Sequence, residues 1–72
     1  MFTLPEAHSL IGRKVRALTD LAEVPAGTQG FVESAVWVVQ EWYVKVIWQP
    51  QPGTEYAEWF NKEEFNHGCR VE

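Results

Sequence analysis

Apolar and polar residues alternate with a period of two over most of the chain, the pattern of strands with one buried face. KVRAL (14–18) sets Val15 and Ala17 against Lys14, Arg16 and Leu18. FVESAV (31–36) sets Val32, Ser34 and Val36 against Phe31, Glu33 and Ala35. WYVKVIW (42–48) sets Trp42, Val44, Val46 and Trp48 against Tyr43, Lys45 and Ile47. EYAEWF (55–60) predicts a fourth strand with Ala57 and Trp59 inward, and CRVE (69–72) a short closing fifth.

Two segments break this period. In TLPEAHSLI (3–11), Thr3 and Glu6 stand at capping-box spacing, Pro5 suits a first turn, and Leu4, Ala7, Leu10 and Ile11 recur near helical spacing, so a short helix ending at Gly12 is expected. In FNKEEF (60–65), Asn61 and Glu64 form a second capping box, with Phe60 and Phe65 placed as a hydrophobic staple. Residues 1–11 thus read as an N-terminal extension or short helix, and 12–72 as one β domain.

Between the first two strands lies VPAGTQGFV (24–32). Pro25 suits the second position of a turn, Gly27 a positive φ, and Gly30 a bend in the following strand. A phosphate loop would need a helix to follow and a Lys beside a Ser or Thr. Here a strand follows and no Lys is present, so the stretch reads as architectural. QPQPGT (49–54) reads as a loop punctuated by proline and glycine.

Five short strands, a long first loop and one helical turn before the last strand make the order of an all-β, five-stranded SH3-like barrel. The stretches GRKVRAL, VPAGTQGFV, VKVIW and EWFNKEEF, spanning about residues 12 to 66, resemble the small bacterial SH3-like barrels. In these a G-x-x-V strand leads to a P-x-G-x-x-G-x-V turn and a W-F-x-K-x-E-F ending. Similar barrels form the variable subunit of ferredoxin-thioredoxin reductase and part of the nitrile hydratase β subunit, and the resemblance implies an auxiliary or scaffolding role. ALTDL (17–21) is similar to the ALYDY motif of eukaryotic SH3 domains, but Thr19 and Leu21 replace the groove tyrosines, so recognition of proline-rich peptides is not implied.

Composition narrows the function further. At 72 residues the chain is close to the lower size limit for a self-sufficient core, and its single Cys69 excludes an internal disulfide, so oligomerisation or a bound partner is expected. Six Lys and Arg against ten Asp and Glu give a net charge of -4, which disfavours nucleic acid as partner. No apolar run approaches the roughly 18 residues that span a bilayer, no basic leader pattern is visible, and the lone thiol suits a reducing compartment; a cytoplasmic protein is expected.

No catalytic, cofactor-binding or metal-binding set stands out. His67 and Cys69 lack further ligands at metal spacing, and the carboxylates Glu55, Glu58, Glu63 and Glu64 read as a solvated edge. The apolar side chains in VWVVQEWYVKVIW (36–48) are more than one small core can shelter. Trp37, Trp42, Tyr43 and Ile47 are therefore expected to bind a protein partner or a second copy. Tyr56 is a further candidate, forming with Trp59 an aromatic groove for an extended peptide; the alternative places Trp59 in the core and Tyr56 at its rim. The expected function is a non-catalytic interaction module or accessory subunit. The alternatives are a small oligomeric enzyme with a shared pore site, like the trimethoprim-resistant dihydrofolate reductase, or a nucleic-acid-binding barrel. The chain lacks the Val-Gln-Ile-Tyr stretch of that reductase.

Overall fold

The computed structural model describes residues 1–72. Its elements run α1 (Leu4–Leu10), β1 (Lys14–Ala17), β2 (Gln29–Val38), β3 (Glu41–Gln51), β4 (Thr54–Phe60), α2 (Lys62–Gly68) and β5 (Cys69–Val71). The strands form one antiparallel sheet in the order β4-β3-β2-β1-β5. β4 and β5 are its two edges and do not pair with each other, so the sheet is not closed into a barrel by hydrogen bonds.

Both helices begin as the capping boxes dictate. Thr3 accepts from Glu6 N while Glu6 accepts from Thr3 N, and Asn61 and Glu64 do the same at α2. Each cap satisfies two backbone N–H groups that a helix start leaves without partners. Both starts also carry a staple. Phe60 and Phe65 meet edge-on at 6.4 Å. Ahead of α1 it is Phe2, buried beside Ala7, that plays this part, while Leu4 and Ile11 stay exposed against expectation. Phe2 also meets Phe65 edge-on at 5.9 Å, so residues 1–11 share one core with the strands.

The inner row of β3 follows the alternation: Val44, Val46 and Trp48 are fully buried. β2 departs from it. Val32 pairs with Val46 but Ser34 pairs with Lys45, leaving Glu33 as the extra residue of a β-bulge. Beyond the bulge the faces exchange. Ala35 turns inward opposite Val44 and Trp37 stands opposite Trp42, while Ser34 and Val36 join the outer face, the reverse of the simple alternation.

β4 is also inverted. Tyr56, Glu58 and Phe60 lie opposite the inner residues Trp48, Val46 and Val44, so Ala57 and Trp59 point outward. Neighbouring residues cannot share a face, and Phe60 is the one required inside as the staple of α2. The expected loop 49–54 is shorter than its composition suggests: β3 extends through Gln51, and Pro52-Gly53 alone makes the turn, with Gly53 at φ +80.

In VPAGTQG the turn begins at Pro25, whose carbonyl accepts from Thr28 N at 3.1 Å, so Ala26, not Pro25, takes the second position. Gly27, at φ +88, supplies the third. Gly30 does something different. A Cβ there would stand 2.5 Å from the Ile47 carbonyl oxygen and 2.8 Å from Trp48 Cε3, so the missing side chain is what lets the buried indole lie against β2.

The β2–β3 hairpin closes through Val39 (φ 48) and Gln40 (φ 62), the left-handed pair of a type I′ turn. A β-branched residue in that region is strained, and Asn-Gly is the pair the turn prefers.

Two outcomes check these points by denaturant unfolding. Gly30→Ala is expected to destabilise by about 1–3 kcal/mol through overpacking against a backbone carbonyl. Val39→Asn with Gln40→Gly is expected to stabilise by about 1 kcal/mol by relieving the turn.

Candidate functional site on the outer sheet face

The bulge in β2 and the phase of β4 together carry apolar residues to the outer face of β2, β3 and β4. Val36 lies opposite Tyr43, and Lys45 opposite Trp59. Val38, Tyr43 and Trp59 line a shallow recess of about 300 Å³ with no polar residue in its wall. Trp59 is 52% exposed and Val38 46%; Val39 at the adjoining hairpin tip is 91% exposed. Lys45 borders the recess, with its Nζ 5.4 Å from the Trp59 ring centroid and 3.0 Å from Glu33 Oε1. A cation over an indole face is held by the ring quadrupole, so Lys45 shields part of Trp59 and keeps its charge at the rim.

The five residues expected to bind a partner do not form one surface. Tyr43 lies in the recess, where partial burial, then the nearby Glu41 and Glu64, push its phenol pKa up. Ile47 shares the outer face but is only 7% exposed, between Phe31 and Ala57 in the ladder; it is removed from the candidate contacts. Trp42 packs on the core and meets His8 and Trp37 edge-on, each at 5.3 Å. Trp37 remains exposed on that α1 side, away from the recess. Tyr56 packs on the core at the β4 edge, where the Glu23 carboxylate raises its pKa. The expected roles of Tyr56 and Trp59, rim and core, are thus exchanged.

Sequence reasoning does not single out Val38 or Val39 as contacts, and it pairs Trp59 with Tyr56 in a groove while pointing its side chain inward. The two valines were hidden because nothing in Val39-Gln40 signals a tight turn, and Trp59 because its face depends on which neighbour the core claims. A valine pair between two alternating strands was the available clue to the hairpin tip.

The remaining chemistry is sparse. The Cys69 thiol is buried, and burial followed by the Glu58 charge pushes its pKa up to about 12, which leaves it protonated and inert as a nucleophile. No three His, Cys, Asp or Glu side chains converge as metal ligands. No helix is long and apolar enough to cross a membrane. A groove of about 490 Å³ is lined mainly by polar residues such as Lys14, Gln29 and Gln49 and brings no nucleophile to a base.

One polar feature is unusual. With β4 in its observed phase, Glu58 is carried to the inner side and half-buried. Desolvation raises its carboxyl pKa. The Trp48 Nε1–H offsets this in part without reaching hydrogen-bond geometry, and so remains buried with no partner.

Glu58→Gln tests this cost. A carboxyl whose folded pKa lies above its unfolded value stabilises the fold fully below the unfolded value, and that contribution is lost as pH rises through the folded one. Thermal melts should therefore show the variant gaining stability relative to the parent as pH rises from below 4.5 to neutrality. A difference that does not change with pH would show that Glu58 is not desolvated. Compared with protein-family models, curated proteins and solved structures, the chain matches none, and its reading rests on this geometry.

Proposed function

We propose that the chain is a non-catalytic protein-interaction module of SH3-like fold that self-associates through the outer face of β2–β4. The SH3-like reading is supported by the 4-3-2-1-5 strand order, a long second strand bent at its bulge, and α2 placed just before the last strand. The observation that carries the function is the apolar recess of Val38, Tyr43 and Trp59 set beside the strained, exposed Val39.

Three considerations favour a second copy as the occupant. The domain is small and has neither a disulfide nor a converging metal set to supplement its core. A projecting tip and a recess on one surface are what an isologous contact uses, since each copy then offers both halves. The rim carries both signs, Lys45 with Glu33 at one end and Glu41 near Tyr43 at the other, so a two-fold axis can set the cation of one copy against the acid of the other. Fully covering side chains of the Val and Trp class is worth roughly 1.5–3 kcal/mol each, against the cost of association.

Sedimentation equilibrium tests this directly. A dimer is expected at concentrations of about 10–100 μM, in the range of weak specific association. Trp59→Ser and Val38→Ser should each shift it at least tenfold toward monomer without altering the far-UV spectrum. Val39→Asn with Gln40→Gly should weaken the dimer while stabilising the protomer. A parent chain that stays monomeric throughout that range removes self-association.

A further inference from the structure

We infer that the free edge of β4 accepts an extended basic segment of a partner protein as a sixth strand. β4 is seven residues long and pairs only with β3. None of the backbone hydrogen bonds outside the ladders involves residues 54–60, so the outward N–H and C=O groups of this strand have no backbone partner. The other edge, β5, is only three residues long and offers a much shorter template. An unpaired, regular edge of this length is a docking site for another strand unless something blocks it.

The inner side of this edge sets the chemistry of the occupant. A cleft of about 410 Å³ lies between the β1–β2 loop and β4, lined by Ala22, Glu23, Val24, Tyr56, Ala57 and Glu58. Neither Glu23 nor Glu58 lies within ion-pair distance of any cation, whereas Glu6, Glu33, Glu63 and Glu72 each do. Tyr56, two residues before Glu58 in β4, has its phenol pKa raised by hydrogen bonding to Glu23 and then by that carboxylate's charge. Behind Glu58 lies the buried, unpartnered indole N–H of Trp48. The edge therefore holds two carboxylates without a cation and one buried indole N–H without an acceptor.

An inward-pointing charge on an edge strand also works against like strands. A second copy of β4 paired about Glu58 would set that carboxylate against its own copy, which disfavours edge-to-edge self-pairing. A strand with Lys or Arg at alternate positions satisfies the same edge. Its cationic side chains enter the Glu23–Glu58 cleft, its backbone completes the β4 ladder, and its small apolar side chains lie over Ala57 on the outer side. The net charge of -4 adds long-range attraction to a cationic segment. This surface is separate from the recess of Val38 and Tyr43, and the inference does not depend on self-association.

The test uses the Trp59→Ser chain, so that dimer formation plays no part, and a fluorescein-labelled seven-residue peptide of alternating arginine and valine. The expected result is saturable binding by fluorescence polarisation with slowed hydrogen exchange at residues 54–60. An alternating glutamate and valine peptide should not bind. The paired substitution Glu23→Gln and Glu58→Gln should weaken the basic peptide at least tenfold with the far-UV spectrum unchanged, and N-methylation of alternate peptide bonds on its pairing edge should abolish binding. Binding that survives N-methylation, is unaffected by the glutamine substitutions, or leaves residues 54–60 exchanging as before would overturn the inference, as would no binding at all.

Discussion

The packing of the Trp48 indole against Gly30 is the constraint around which the sheet is arranged. The side chain is fully buried on β3, beside the central strand β2, and it fits only because the facing residue of β2 has no Cβ. In so small a domain one indole is a large fraction of the apolar area that folding hides, so the strands on either side take their register from it. Val15 pairs with Gly30 on one side and Tyr56 with Trp48 on the other, which extends a single row across four strands. The glycine of this stretch thus serves the core, while Gly27 serves only the turn.

Around that row the molecule meets its packing demands at the expense of its surface. The Glu33 bulge turns Ala35 inward, where a small residue fits beside Val44, and sends Val36 to the outer face. The need for Phe60 under α2 sends Trp59 outward and draws Glu58 inward. The apolar outer face and the half-buried carboxylate therefore have one origin. Each is the far side of a residue that the core required.

These surfaces differ in character. The outer recess is apolar, bordered by a lysine tied to both an indole and a carboxylate, and suits a contact driven by burial of area. The β4 edge is backbone and carboxylate, and suits a contact driven by hydrogen bonding and charge. The strained Val39 belongs with the first. A turn that asks for Asn-Gly and holds Val-Gln carries strain that the fold itself does not need, and the side chain it displays is almost wholly exposed.

The helix α2, the number of strands and the buried row Val44, Val46 and Trp48 of β3 were legible in the sequence, and α1 was legible as one of two alternatives. Those signals are local: a capping box is complete within four residues, and alternation is unbroken where a strand is regular. The candidate surface was legible only as an excess of aromatic and branched side chains, with Tyr43 alone of the predicted contacts lying in the recess. Which residues face outward was decided by the tertiary structure. A single extra residue at Glu33, and the competition between Trp59 and Phe60 for one core position, each invert a strand without leaving a local mark. Because strand faces repeat every two residues, one unsignalled shift exchanges everything beyond it, and only the packed core settles which phase is kept.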